Sequence, residues 1–598
     1  MPASLPQRSQ VKQEDTWKLE DIFLTDALFE EQLVKAKDLL GTFSVFEGKL
    51  TSDSTALYTF LTKQDEILEL TGKLYVYSHM RLHQDGSNAY YQDFASKTEN
   101  LSASVSASLS FANPELSHLT PDTLSAMFVE MPKLRLYDRY LDEILRQKEH
   151  ILDAKTEHLL AKVSEIASAP QNVYSMFNNV DIKFPLITNE QGESVQLTHG
   201  TYIKYLENKD RKVREAAFTG MYQTYSDYKN TLAAAFAANI KQYGLFSSVR
   251  GFETPLHFAL SDNNIPVTVY DNLIQTVNRQ MDVMHAYIEL RQQLLGLGEL
   301  HMYDLFVPIV KDFDIKISYD EACETILKAL APLGEEYVSI IKEGFSNRWI
   351  DKYENAGKRS GAYSWGTYGT PHPYVLMNYV DNVNNMFTLA HEMGHALHSY
   401  LSQKAQPFIY SGYCIFVAEV ASTVNEALLM QYLLKTVTDT SYRKYLINYF
   451  MEQFRTTLYR QTMFAEFEKE VHTISHKGET LTAEFLCSTY YSLVKKYHGD
   501  TLHVDQLIEN EWARIPHFYS PFYVYQYATG YSAAIALSNR ILTEGQPAVD
   551  DYLSFLSGGS SKDPIDLLKI AGVDMSTSEP IEAALTTFKH LIEEMKTL

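Results

Sequence analysis

The sequence of 598 residues contains no run of about 18 apolar residues, which is the length that a membrane-spanning helix requires. Its first residues, MPASLPQRSQ, lack the basic segment followed by an apolar segment that marks a secretory signal. Only three cysteines are present and no two form a CxxC pair, which argues against a disulfide framework and a cysteine zinc site. We therefore expect a cytoplasmic protein that is not anchored in a membrane.

Positive charge is also scarce, because the formal net charge at pH 7 is −23. A chain this acidic is a poor partner for nucleic acid or for an anionic membrane surface. No Gly/Ser-rich or Pro-rich linker divides the sequence, and its 45% hydrophobic and 21% charged residues are typical of a well-folded protein. We expect one large, mainly helical body with lobes.

The segment His391-Glu392-Met393-Gly394-His395 is an HExxH motif. Two histidines four residues apart lie on one face of an α-helix, about 6 Å from each other, so both can bind one metal ion. In metallopeptidases the glutamate beside the first histidine accepts a proton from the metal-bound water. The motif therefore predicts a zinc-dependent hydrolase.

The residues around the motif favour a helix over about 383–403. Asp381 and Asn382 are good N-cap residues, and apolar residues recur at helical spacing after them. Gly394 is a poor helix former, which indicates close approach of another segment or of substrate. An amphipathic helix that presents two histidines by chance is the alternative.

A catalytic zinc normally has three protein ligands. His398 is excluded because seven residues along a helix separate it from His391 by about 10 Å. A second apolar helix is expected from about Ile415 to Leu433, and it carries Glu419 and Glu426 on one face. Spacing alone leaves both glutamates as candidates for the third ligand, with the other hydrogen-bonded to a ligand histidine.

Three further features near the motif are weaker candidates. Cys414 is predicted to be a buried, inert thiol rather than a ligand. His372 is a site candidate that is as well explained as a turn histidine. It belongs to the segment 359–379, in which turns and aromatic residues precede a strand expected at Tyr374–Val380. In zinc peptidases an edge strand next to the motif helix often binds extended substrate.

The segment 514–531 is rich in hydrogen-bond donors for an oxyanion. Prolines place His517 in a loop, and a helix is expected to begin near Phe522. On that helix Tyr523 and Tyr527 share one face, from which Tyr525 points away. In a chain with 41 tyrosines, a cluster of core aromatics is the alternative interpretation.

Residues ~20–180 have the pattern of successive helices, interrupted at Asp85-Gly86-Ser87. Around residues 182–184 and 195–197 the pattern shortens to that of a β-hairpin. We place a domain boundary there, between an N-terminal helical lobe of residues 1–199 and a catalytic domain of residues 200–598.

Several motifs together resemble the M3 family of zinc oligopeptidases, in its oligoendopeptidase F branch (M3B). They are HEMGHALH, AEVASTVNE, RSGAYSW, YVLMNY and RIPHFYSPFYVYQYATG. The resemblance spans most of the chain. It implies a mainly α, multi-helical zincin-type fold with a small β element beside the HExxH helix and a deep substrate channel between helical lobes.

The resemblance also implies roles for individual residues. One Zn²⁺ per chain is expected on His391, His395 and Glu419, with Glu392 as the base and Glu426 as the partner of a ligand histidine. His517, with Tyr523 and Tyr527, is expected to stabilise the oxyanion, and Tyr525 is the runner-up among the tyrosines.

The resulting prediction is a zinc metalloendopeptidase that cleaves internal bonds of short oligopeptides through a zinc-activated water. Two alternatives remain: a non-catalytic peptide-binding or chaperone-like protein, and a zinc aminopeptidase. Oligopeptides are the expected partners, with no nucleic acid and no membrane among them, and the oligomeric state is left open.

Overall fold

The protein is described by a computed structural model covering residues 5–310 and 315–598. Residues 1–4, which begin the segment in which no targeting signal is predicted, lie outside the described part. Within the described ranges, no helix is both long and apolar enough to cross a bilayer.

Helices dominate the fold, and strands are few and short. The α-helices are α1 Asp26–Leu40, α2 Ser54–Gln84, α3 Ala89–Leu109, α4 Ala112–Leu116, α5 Pro121–Glu130, α6 Asp138–Arg146, α7 Ala154–Ala167, α8 Ala169–Met176, α9 His199–Leu206, α10 Arg211–Asp227, α11 Lys229–Val249, α12 Pro255–Ser261, α13 Val267–Arg279, α14 Met281–Leu295, α15 Tyr319–Ala329, α16 Glu335–Ser346, α17 Val383–Ala405, α18 Ile415–Thr436, α19 Thr440–Gln453, α20 Arg460–His476, α21 Ala483–His498, α22 Tyr525–Glu544, α23 Gln546–Leu556, α24 Pro564–Ile570 and α25 Glu579–Thr597. The predicted mainly α fold class is confirmed.

In the described ranges the strands form three small sheets. They are β1 Leu186–Thr188, β2 Ser194–Gln196, β3 Leu300–His301, β4 Ile350–Asp351, β5 Tyr363–Trp365, β6 Tyr374–Leu376 and β7 Leu502–His503. The pairs β1–β2 and β5–β6 are antiparallel, whereas β3–β7 and β4–β6 are parallel.

The described residues group into two compact units. Unit 1 consists of residues 5–151, 315–432 and 537–573, and unit 2 of residues 152–310, 433–536 and 574–598. Each unit is built from three separate chain segments. The division at residues 199 and 200 stays a prediction about family domains.

In unit 1, α2 packs along α1 and α3 through buried aromatic side chains. Phe29 stacks on Phe94 with ring centroids 4.3 Å apart, and Tyr77 stacks on Phe29 at 5.5 Å. The break predicted at Asp85-Gly86-Ser87 separates α2 from α3. The same unit contains the three-stranded sheet β4–β6–β5. This sheet is the small β element predicted beside the HExxH helix, and β5 and β6 both pack against α17.

The predicted hairpin is present in unit 2, but its first strand starts about four residues later than expected. The Asn189 N–H donates to the Glu193 carbonyl at 2.9 Å and closes a tight turn. The strands must flank that turn directly, so Thr188 pairs with Ser194 and Ile187 with Val195.

Candidate metal centre

Helix α17 holds the two histidines of the HExxH motif. Its first turn is capped by Asn382, whose side chain accepts the Asn385 N–H at 2.8 Å. The Nε2 atoms of His391 and His395 lie 3.2 Å apart, and the side chains are 26% and 18% exposed. The two imidazole nitrogens therefore converge on one point that solvent can reach.

Helix α18 brings Glu419 to the same point. Its Oε2 lies 3.4 Å from His391 Nε2 and 3.5 Å from His395 Nε2. Ligand atoms at about 2.0–2.1 Å from a tetrahedral zinc are separated by about 3.3 Å, so the three atoms match one face of such a tetrahedron. The donor set of two imidazoles and one carboxylate is also one that catalytic zinc sites use. The residues present therefore fit a zinc ion.

Glu426 lies seven residues further along α18 and contacts the other nitrogen of His391. Its Oε1 is 2.5 Å from His391 Nδ1. This hydrogen bond fixes the ring orientation and leaves Nε2 directed at the metal position. Burial lowers the pKa of His391, but the hydrogen bonds to Glu419 and Glu426 outweigh burial and raise that pKa well above its usual value.

Gly394 allows the two helices to approach closely. A Cβ atom at this position would lie 2.5 Å from the Cα of Ser422 and 2.7 Å from the carbonyl oxygen of Ala421. No side chain fits there, because the backbones of α17 and α18 are in direct contact. The close approach predicted from the glycine is confirmed, and it carries Glu419 to within reach of the histidines.

Glu392 follows His391 on the same helix and is 7% exposed. Burial raises the pKa of its carboxyl group, and the neighbouring His391 and His395 partly oppose that rise. The backbone N–H of Ser364 donates a hydrogen bond to this carboxylate. A carboxylate with a raised pKa beside a metal position has the properties of a general base.

The strand prediction in front of α17 needs correction. The strand covers Tyr374–Leu376 rather than Tyr374–Val380, and it is the central strand of its sheet. Its three side chains are fully buried, and both of its edges pair with other strands. The free edge next to the motif helix belongs to β5, which carries Ser364.

Unit 2 brings together His517, Tyr523 and Tyr527. The His517 ring lies 6.1 Å from Tyr523 and 6.0 Å from Tyr527, and the two tyrosine rings are 5.4 Å apart. His517 lies in a short 3₁₀ turn and is exposed, while both tyrosines are half-buried. The three side chains thus form one partly accessible donor cluster.

Comparison with known proteins identifies the family. The sequence model of peptidase family M3 matches residues 204–587, and that of Oligopeptidase F matches residues 115–184. The chain belongs to peptidase family M3. It is 50% identical to oligopeptidase PepF of Bacillus subtilis over 99% of this chain and 88% of that protein.

Two further relatives support the assignment. Group B oligopeptidase PepB of Streptococcus agalactiae is 39% identical over 99% of this chain and 98% of that protein. The crystal structure of oligoendopeptidase F from Enterococcus faecium superposes with a TM-score of 0.74 at 36% identity, covering 96% and 99% of the two chains. The predicted resemblance to family M3 is confirmed, and the protein is a metallopeptidase.

The helix after His517 begins three residues later than predicted in this M3 peptidase. It starts at Tyr525, because Phe522 has a backbone φ of +58° that no α-helix accommodates. Tyr525 is 2% exposed and packs on Tyr270 at 5.0 Å. Tyr525, the alternative oxyanion donor to Tyr523 and Tyr527, is therefore a core residue.

Sequence reasoning missed Glu468, which holds the loop that follows His517. Its Oε1 accepts the Phe522 N–H at 3.0 Å, and its Oε2 has no hydrogen-bond partner among the described residues. The side chain is 1% exposed on α20. The sequence contains a signal for this residue. Glu468 follows Phe467 and lies three residues before Val471, so it falls on an apolar helix face, and a glutamate buried there needs a polar partner.

The three weaker site candidates are described by their packing and burial. His398 is 1% exposed and stacks on Tyr413 at 3.7 Å, and burial lowers its pKa to about 3. His372 stacks on Trp349 at 4.6 Å as a packing residue. Cys414 is half-buried, and burial raises the pKa of its thiol.

Proposed function

We propose that this M3 metallopeptidase is a zinc-dependent endopeptidase that hydrolyses internal bonds of short oligopeptides. The observation that carries the proposal is the triangle of His391 Nε2, His395 Nε2 and Glu419 Oε2, with sides of 3.2, 3.4 and 3.5 Å. When bound there, zinc supplies Lewis-acid chemistry that polarises a peptide carbonyl and acidifies a water molecule.

The chain's own residues perform the proton transfers in this proposal. Glu392 accepts the proton of the attacking water and passes it to the leaving amine. Its burial supports this role, since a raised pKa makes the carboxylate a stronger proton acceptor. The Ser364 N–H orients the carboxylate. Glu426 keeps His391 in the ligand tautomer.

We assign donation of hydrogen bonds to the oxyanion to His517, Tyr523 and Tyr527. The ring centroids of the two tyrosines lie within 6.1 Å of the His517 ring centroid, and His517 is exposed; both observations support the assignment. Each correctly placed donor contributes about 3 kcal/mol to the stability of the transition state. Tyr525 is buried, and we assign it no role in stabilising the oxyanion.

The names of the relatives support the substrate class. PepF and PepB are named oligopeptidases, and the Enterococcus faecium protein is named an oligoendopeptidase. We therefore propose oligopeptides as substrates, with cleavage at internal bonds.

The proposal is tested by metal analysis together with product masses from a peptide blocked at both ends. We expect one zinc per chain at the catalytic triangle and, from each internal cut, one fragment with a new carboxyl terminus and one with a new amino terminus. Cleavage only of peptides with a free amino terminus would identify an aminopeptidase instead. Binding without any cleavage by zinc-loaded protein would identify a peptide-binding protein.

A further inference from the structure

A second pair of histidines lies in unit 2, outside the HExxH site. Strands β3 and β7 pair in parallel, and their register places His301 directly opposite His503. The two imidazole rings are 4.5 Å apart. Leu300 and Leu502, one position earlier, are buried at 0% and 4% exposure and anchor the strand pair. The histidines are thus held side by side by the backbone.

Two carboxylates surround this pair. Glu299 lies 3.3 Å from His301 Nε2 through Oε2 and 3.3 Å from His503 Nδ1 through Oε1. Asp505 Oδ1 lies 2.9 Å from His301 Nδ1, and Asp505 Oδ2 accepts the Met302 N–H at 3.0 Å. One atom from each of His301, His503 and Asp505 lies within 4.8 Å of the others.

This cluster uses the same kinds of side chain as the HExxH centre, two histidines with carboxylates beside them. Glu299 spans the two imidazoles with its two oxygens, Oε2 on His301 Nε2 and Oε1 on His503 Nδ1, each at 3.3 Å, a separation that two ligands of one tetrahedral ion can have. Asp505 contacts the remaining nitrogen of His301, as Glu426 contacts that of His391. Two neutral imidazoles and two carboxylates carry a charge of −2, which a divalent cation neutralises.

The backbone that carries His301 is tied to a buried ion-pair network. Its N–H donates to Asp304 Oδ2 at 3.0 Å, and Asp304 is fully buried. Asp304 in turn forms ion pairs with Arg211 at 2.8 Å and Arg214 at 2.6 Å. The backbone at His301 therefore needs little further ordering when an ion binds.

We propose that His301, His503, Glu299 and Asp505 form a second metal site, which binds a divalent transition-metal cation such as Zn²⁺. Imidazole ligands favour this class of ion over Mg²⁺ and Ca²⁺. Bound metal cross-links β3 to β7 and holds Asp505 at the start of the 3₁₀ segment Gln506–Arg514. The site is independent of the proposed peptidase activity.

The test measures zinc bound to the full-length protein by equilibrium dialysis and elemental analysis. We expect two zinc ions per chain at saturation, and an excess of Mg²⁺ should leave both in place. H503Q should lower the stoichiometry to one, because it removes a ligand that is 51% exposed and whose loss does not disturb the core. D505N should weaken the same site at least tenfold.

Controls separate this site from the HExxH centre. H391A should lose the other zinc and keep the one on His301 and His503. H476Q changes another exposed histidine of unit 2 and should retain both ions. Zinc should also slow amide hydrogen exchange at residues 300–303 and 502–505 in the wild type and not in H503Q. Unchanged stoichiometry in H503Q, or an equal loss in H476Q, would overturn the proposal.

Discussion

Replacing Glu468 by Gln should remove a cost to the stability of the protein that grows as pH rises. Glu468 is 1% exposed, and burial raises the pKa of its carboxyl group from 4.5 to about 8, against a smaller opposing effect of the Phe522 N–H. Between these two values the native protein keeps the proton and the unfolded chain loses it. The contribution of Glu468 to the free energy of unfolding must therefore fall as pH rises from about 5 to about 8.

The size of the effect follows from the pKa difference. Each pKa unit corresponds to about 1.36 kcal/mol, so a rise from 4.5 to about 8 costs the native state roughly 4 to 5 kcal/mol at the alkaline end. Glutamine has no proton to release, and its amide oxygen can still accept the Phe522 N–H. The difference in unfolding free energy between E468Q and wild type should therefore increase by several kcal/mol over this pH range.

Urea unfolding of both proteins at about pH 5 and about pH 8 measures this difference, because all other titrating groups cancel in the comparison. E479Q is the matched control, since Glu479 is exposed just beyond the end of α20 and the substitution is the same change from glutamate to glutamine. A constant difference between E468Q and wild type would refute the reasoning, because it would mean that Glu468 is ionised in the native protein.

Three further predictions concern the metal centre and the donor cluster. E426Q should weaken zinc binding by roughly tenfold or more in a chelator competition assay, because the charge on the partner of His391 is lost; unchanged affinity would contradict its role. G394A should lower unfolding stability by about 1–3 kcal/mol through the clash with α18, whereas G244A, in an open position on α11, should raise it; equal effects would contradict the close approach. Y527F should lower kcat by about 10²-fold or more while Y525F leaves it near wild type; the reverse order would move the donor role to Tyr525.

The arrangement of the candidate metal-binding residues was largely predictable from sequence because they lie on two successive helices. Asn382 marks the start of α17, helical spacing brings His391 and His395 together, and α18 extends over the predicted segment. Gly394 also indicated the helix contact, since a glycine inside a helix needs a steric reason. The choice of Glu419 over Glu426 required the family resemblance, because both residues occupy the same face of one helix.

The start of the helix after His517 and the position of the strand before α17 could not be predicted, because both depend on contacts between distant parts of the chain. The helix after His517 starts late because Phe522 adopts a positive φ, and the hydrogen bond that holds it comes from Glu468, which lies 54 residues earlier. No local pattern encodes that partner. The strand Tyr374–Leu376 is central rather than at an edge, because its neighbours come from residues 350 and 363. Pairing partners and register are set by such tertiary contacts.

The most direct test of the central claim is the rate at which zinc-loaded E392Q cleaves a peptide blocked at both ends, measured beside the zinc content of the same sample. The amide that replaces the Glu392 carboxylate cannot accept a proton, while His391, His395 and Glu419 are unchanged. We predict full zinc content and a rate lowered by about 10²- to 10⁴-fold. A rate close to that of the wild type, at full zinc content, would contradict the account.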